Sequence, residues 1–86
     1  MTQRMLDSWL ELYRDRVRMA EHWRDKEDAA LDKGNEEKAA RCERRAEEYE
    51  CEATGMRRAL EIFGYTTVER YDEEQKKVVS SVVEKK

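Results

Sequence analysis

Residues 39–60 read AARCERRAEEYECEATGMRRAL, a highly charged stretch in which alanine recurs at every seventh position. The less polar residues of this stretch and its continuation are separated by alternating steps of three and four: Ala39, Cys42, Ala46, Tyr49, Ala53, Met56, Leu60 and Phe63. This spacing places them on one face of an α-helix, as in the seam of a coiled coil. The pattern predicts a helix over residues 35–63 that packs against a second helix.

The preceding residues supply that second helix, which we predict over residues 2–33 with Thr2 as its N-cap. Its larger apolar residues share one arc: Leu6, Trp9, Leu10, Tyr13, Val17, Ala20 and Leu31. Between the helices, Gly34 suits a left-handed C-cap and Asn35 suits an N-cap, so the chain should turn back here. The fold-back pairs Leu6 with Phe63, Tyr13 with Met56, Ala20 with Tyr49, and Trp23 with Ala46. Large residues then face small ones, which predicts an antiparallel two-helix coiled-coil hairpin.

The last part of the chain differs in composition. Gly64 should end the second helix, and the residues after it are rich in β-branched and aromatic types. They predict a short C-terminal β-hairpin within residues 65–84, with strands over 65–71 and 77–83. A third short helix is the alternative, because Asp72 and Gln75 resemble a capping box ahead of four valines. An isolated hairpin is marginal in water, so it should lean on the helices or pair with another chain.

Length and composition limit the classes of function. The 86 residues predict one domain over 1–86, and the absence of proline permits long helices. Charged residues make up 45% of the chain, yet the net charge is only −3. Direct binding to nucleic acid is therefore not expected, because general nucleic-acid binders carry a strong positive balance. No apolar run approaches the roughly 20 residues of a membrane span, and a cytoplasmic location is the default expectation.

Residues with catalytic or metal-binding potential are few. Cys42 and Cys51 lie on different sides of one helix, too far apart to form a disulfide within it, and their spacing fits no zinc site. Cys42 is predicted in the core and Cys51 as an exposed thiol. His22 is predicted to be solvated, with no nucleophile or orienting carboxylate specified near it. We therefore expect no cofactor, no metal and no enzymatic activity.

Two surface patterns are candidates for binding a partner. The first, the acidic ridge, follows the outer face of the second helix: Glu36, Glu43, Glu47, Glu50 and Glu61. A negative ridge on a rigid helix is suited to occupy a basic groove meant for nucleic acid. The second, the apolar row, recurs every seven residues beside the main arc of the first helix: Met5, Leu12 and Met19. A two-helix hairpin cannot cover this row as well, so the tail, a second copy or a target should pack on it.

Other polar residues have structural explanations. Arg41, Arg44 and Arg45 could bind phosphate, but pairs such as Glu37 with Arg41 and Arg44 with Glu48 predict a helix surface laced with salt bridges. Glu27 intrudes on the apolar arc and is expected to meet Arg41 or Arg45 across the hairpin. Gly55 lies inside the second helix, where it is expected to mark close passage of the tail.

Residues 46–86 form a charged helix that ends in a turn containing leucine and glycine, followed by a short β-prone tail. This half of the chain resembles the C-terminal half of small uncharacterised proteins carried by bacteriophages and integrated elements. Some small proteins of that origin are anti-CRISPR inhibitors, which block a host nuclease by binding it. The resemblance implies such a context, and it transfers no functional residue.

These observations favour a non-catalytic protein-binding module, such as a phage-encoded inhibitor that occludes a surface of a host nucleic-acid-handling defence complex. Because the apolar row and the valine-rich tail exceed what one hairpin covers, we also expect a homodimer or higher oligomer. A self-assembling coiled-coil module is one alternative. The other is a nucleic-acid or nucleotide binder that uses the arginine clusters.

Overall fold

A computed structural model describes residues 2–85. It contains two helices, α1 (Gln3–Asp32) and α2 (Glu36–Ile62), followed by two strands, β1 (Tyr65–Asp72) and β2 (Lys77–Glu84). The helices pack against each other as an antiparallel pair, and the strands form a two-stranded antiparallel sheet. The predicted mainly α architecture with a C-terminal β-hairpin is confirmed, and the alternative of a third helix is wrong.

The helix ends form where their capping residues predict. The Thr2 hydroxyl accepts a hydrogen bond from the Met5 amide at 3.2 Å, and the Asn35 side chain accepts one from the Lys38 amide at 3.1 Å. Each bond satisfies an amide that the first turn of a helix leaves free. Gly34 (φ 72°) and Gly64 (φ 86°) have left-handed backbones, which a glycine adopts without steric cost. Local sequence therefore determines where both helices begin and end.

The core is the seam between the two helices. Ala46 is fully buried and Leu60 is almost so. The other buried residues come from both helices: Leu6, Tyr13, Ala20 and Ala30 from α1, and Ala39, Cys42 and Ala53 from α2. The predicted burial of Ala39, Ala46 and Ala53 is thus confirmed, whereas the predicted pairing of individual residues across the seam stays a prediction. Cys42 belongs to this core and Cys51 is exposed, so both predictions for the cysteines are confirmed.

The seam differs from the prediction at both of its ends. Phe63 is 63% exposed, because it is the C-cap of α2 and the chain reverses beside it at Gly64. Leu31 is 53% exposed, and its neighbour Ala30 is buried instead. Leu31 lies in the last turn of α1, beside the point where the chain leaves the helix, whereas the turn folds back on Ala30, whose carbonyl accepts a hydrogen bond from the Asn35 amide at 2.9 Å. The predicted burial of Phe63 and Leu31 was therefore wrong.

The β-hairpin has a regular register, from Tyr65 opposite Glu84 to Asp72 opposite Lys77. The Asp72 carboxylate accepts hydrogen bonds from the amides of Glu74 at 2.9 Å and Gln75 at 3.3 Å. Asp72, which resembled a helix cap, therefore stabilises the loop between the strands. Helix caps and such loops share this feature, because in both a short side chain accepts hydrogen bonds from amides two or three residues later.

The hairpin leans on one side of the helix pair. The Arg14 guanidinium on α1 donates a hydrogen bond from Nε to the Ser80 carbonyl on β2 at 2.9 Å. At the base of the hairpin, the Lys85 amide donates to the Gly64 carbonyl at 2.7 Å. Gly55 is exposed, and a Cβ atom built there would meet nothing within 4 Å. The predicted close passage of the tail at Gly55 was therefore wrong.

We predict that Ala46→Glu abolishes the cooperative thermal unfolding of the parent. The substitution places an unpaired carboxylate at a fully buried position. Burying such a charge costs several kcal/mol, against a total stability of about 5 kcal/mol for so small a domain. Circular dichroism during heating measures the effect, and Ala40→Glu, at an exposed position of the same helix, is the control. If both variants melt like the parent, the seam is not where the structure places it.

Candidate functional site

The β-hairpin divides the helix pair into a covered and an open side. Strand β2 lies beside the face of α1 that carries Leu10, Arg14 and Val17, where it lines a groove with these residues. Successive helical residues are about 100° apart, so Leu12 points away from both Leu10 and Arg14 by roughly 160°. We call the side with β2 the hairpin side and the opposite one the open side.

The apolar row lies on the open side. Met5 and Leu12 are each 55% exposed, and Met19 is half-buried. Neither strand reaches this face, because the hairpin occupies the other side of α1. Nearby, Trp9 is half-buried and stacks on Tyr13 with ring centroids 5.0 Å apart. Within residues 2–85, the β-hairpin thus leaves the predicted row uncovered, and Met5 and Leu12 are its exposed members.

The acidic ridge is exposed along its whole length, but its members differ in their surroundings. Glu50 accepts two hydrogen bonds from Arg24 across the helix pair, at 2.8 and 3.1 Å. Glu61 lies beside Arg57 and Arg58 in a shallow groove next to β1. A continuous negative field is therefore confined to the remaining members: Glu36, Glu43 and Glu47.

The pair of Arg24 and Glu50 changes the proton affinity of both groups. Hydrogen bonding to Arg24 outweighs partial burial and holds the pKa of Glu50 below the 4.5 of an unperturbed glutamate. The bonds to Glu50 and, secondarily, to Glu27 raise the pKa of Arg24. Glu27 thus meets Arg24 on its own helix at 3.1 Å, and the expected pairing with Arg41 or Arg45 was wrong. A second pair, Arg16 with Glu52 at 2.7 Å, connects the two helices.

A cationic groove of about 680 Å³ opens on the open side, close to the turn between the helices. The residues that line it come from both helices: Trp23 and Lys26 from α1, and Lys38, Arg41, Cys42, Arg44, Arg45 and Glu48 from α2. The Lys26 ammonium lies 4.9 Å from the centroid of the Trp23 ring, a cation–π contact. Five cations and one carboxylate therefore surround one concave surface.

The salt bridges predicted to neutralise these arginines are absent from residues 2–85. Arg41 does not pair with Glu37 and Arg44 does not pair with Glu48, so both predictions were wrong. The one ion pair in the groove joins Arg45 to Glu48 at 3.9 Å, between exposed side chains. The arginine cluster was predicted from the sequence, but the position of Trp23 beside it was not. The signal was present, since Lys26 continues the seven-residue repeat of the apolar row.

Neither the histidine nor the cysteines are arranged for chemistry. His22 is exposed and contacts the edge of Trp23 at a centroid distance of 5.7 Å. No group of three or more potential metal ligands is found within residues 2–85. Neither helix has the length of apolar sequence required to cross a membrane.

Comparison with protein-family models found no match, and comparisons with curated proteins and with solved structures found none either. The resemblance of residues 46–86 to phage-borne proteins therefore stays a prediction. Function is therefore inferred from the exposed surfaces of the described residues.

We predict that Glu50→Gln lowers the melting temperature at pH 7 and that the difference from the parent disappears in acid. Because the folded-state pKa of Glu50 is lowered, its contribution to stability is present above 4.5 and is lost as the pH falls through the lower value. Thermal melts across this pH range, in low and high salt, measure the effect.

The control for this variant is Glu47→Gln, an exposed glutamate of the same helix that forms no ion pair within residues 2–85. Its melting temperature should follow the parent at every pH. Equal behaviour of the two variants would contradict a role for the Arg24–Glu50 pair.

Proposed function

We propose that this chain is a non-catalytic protein-binding module that acts by covering a surface of its partner. The observation that carries the proposal is the exposed apolar row on the open side, where Met5 and Leu12 each leave 55% of their surface in water. Large apolar side chains that recur along one exposed face favour an interaction site. Methionine also adapts its shape to a partner, which suits such a surface.

Magnitudes favour the apolar row over the acidic ridge as the source of affinity. Complete burial of a fully exposed methionine or leucine side chain contributes about 1.5–3 kcal/mol, so covering the exposed 55% of Met5 or Leu12 contributes roughly half of that. An exposed ion pair contributes about 0–1 kcal/mol. Glu50 is in addition already engaged by Arg24. The ridge, reduced to Glu36, Glu43 and Glu47, is better suited to accelerate association with a basic partner.

The more specific role is an inhibitor of a host nucleic-acid-handling defence complex, comparable to an anti-CRISPR protein and acting in the cytoplasm. Its support is the resemblance of residues 46–86 to phage-borne proteins, together with the small size of the chain. In this role the apolar row would bind the complex, and the nearby ridge would face its basic surface.

Self-assembly is the second candidate function, because the apolar row would also be buried by the same row of a second copy. We predict that light scattering at about 100 μM gives a particle mass above the 10.4 kDa of one chain. Leu12→Asp should return the mass to that of a monomer while helicity is retained, because it places a charge in the centre of the contact. A monomeric parent would contradict self-assembly and leave a different protein as the occupant of the row.

Site-specific photo-crosslinking tests protein binding directly. We predict that a photoreactive phenylalanine analogue at position 12, introduced in cells that carry the gene, forms an adduct with a second protein. The same analogue at position 47, in the acidic ridge, is the matched control and should form far less adduct.

The three other results are equally informative. Adducts from position 47 alone would contradict the proposal and make the ridge the binding surface. Adducts with a second copy alone would assign the row to self-assembly. No adduct from either position, with expression and helicity intact, would contradict protein binding through both surfaces.

A further inference from the structure

The cationic groove adjoins the apolar row on the open side of the helix pair. Met5, Leu12, Met19 and Lys26 succeed one another in steps of seven residues, so they lie along one face of α1. Lys26 contacts Trp23, which lines the groove together with Arg41 and Arg45 of α2. From Met5 to Lys26 this surface is about 30 Å long, with apolar side chains at one end and cations at the other.

Two properties of the groove favour a ligand. First, Lys26, Arg41 and Arg44 form no ion pair with the carboxylates of residues 2–85, so their charge is available. Second, the volume of about 680 Å³ is sufficient for several side chains. The indole Nε1 of Trp23 is shielded from the groove, so we assign it no contact with a ligand.

The charge of the groove contrasts with the opposite side of the helix pair. There, a shallow depression of about 360 Å³ is lined by Glu21, Asp25 and Glu50, with Arg24 as its one cation. The positive potential is therefore local, although the net charge of the chain is −3. Complementarity to this groove requires a negatively charged occupant.

We infer that the partner of this module presents an amphipathic helix whose apolar residues pack on the apolar row and whose acidic end enters the cationic groove. This inference rests on the proposed function and specifies the chemistry of the partner. Carboxylates of the partner pair with Arg41 and Arg45. The arrangement is the helix-in-groove mode of peptide recognition, with charge determining the direction of the bound helix.

An acidic polypeptide fits these observations better than a nucleic acid. The free cations that line the groove lie at one end of the surface, and the exposed apolar side chains of Met5 and Leu12 lie at the other. Between them, Arg16 is already paired with Asp15 and Glu52, so it offers no free charge to a phosphate. One face of the Trp23 ring is already occupied by Lys26, so stacking on a nucleic-acid base is restricted. A phosphate chain would leave Met5 and Leu12 exposed, whereas an amphipathic helix covers them.

The test uses synthetic helical peptides of about 20 residues, a length that matches the surface. One peptide carries leucines at seam positions and a block of glutamates at one end, and its control replaces the glutamates with glutamines. Binding is followed by the emission of Trp23 in the Trp9→Phe chain, because Trp23 lines the groove. Circular dichroism verifies the helicity of every variant.

We expect the glutamate peptide to bind about tenfold more tightly than the glutamine peptide, with an advantage that decreases as salt rises. Arg41→Gln with Arg45→Gln should remove this advantage. The matched control is Arg57→Gln with Arg58→Gln, which changes the net charge by the same amount on the same helix but on the hairpin side. This control variant should still bind the glutamate peptide more tightly than the glutamine peptide. Leu12→Asp should weaken the binding of both peptides to the same extent.

Other results would overturn the inference. Equal affinity for the two peptides, or no binding of either, would mean that the groove does not recognise acidic segments. Tighter binding of oligothymidine or tripolyphosphate, lost with the Arg41 and Arg45 substitutions, would make it a phosphate site. If the arginine variants lose binding while Leu12→Asp retains it, the groove recognises acidic peptides without the row. In that case the row fails as the binding surface of the proposed function and the assignment of the groove stands.

Discussion

The packing of two helices at buried alanine residues is the constraint on which this structure depends. Ala39, Ala46 and Ala53 of α2 are buried and place no side chain beyond Cβ into the seam, which leaves room for the facing helix. The resulting core is narrow, because each helix buries essentially one row of residues. Both flanks of the helix pair consequently stay outside the core, and the β-hairpin covers only one of them. The exposed apolar surface is thus a consequence of how the core is built.

The features that sequence reasoning predicted correctly are those with a local cause. The steps of three and four in α2 predict its buried face, Thr2 and Asn35 predict the helix starts, and β-branched residues predict the strands. Asp72 left a third helix open as an alternative, because a helix cap and the loop in which Asp72 lies use the same short-range hydrogen bonds. Local sequence therefore predicts which residue accepts the backbone hydrogen bonds more reliably than it predicts whether a helix or a strand follows.

The features that were missed depend on how elements meet. The β-hairpin lies on the side of α1 where Arg14 donates a hydrogen bond to Ser80, and these two residues are 66 positions apart in the sequence. The meeting of Trp23 with the arginines of α2 depends on the relative rotation of the helices, as does the choice of Arg24 as the partner of Glu50. With charged residues making up 45% of the chain, many pairings are energetically similar. The sequence alone consequently cannot select among them.

The separation of charge near the turn has a consequence for how the molecule approaches other molecules. Cations gather on the open side, around Trp23, and carboxylates gather on the hairpin side, around Asp25. The two charge groups lie on opposite sides of the helix pair. They give the helix pair a charge asymmetry transverse to its long axis. In the field of a charged surface, a torque would turn the molecule about that axis and present one side before any atoms touch.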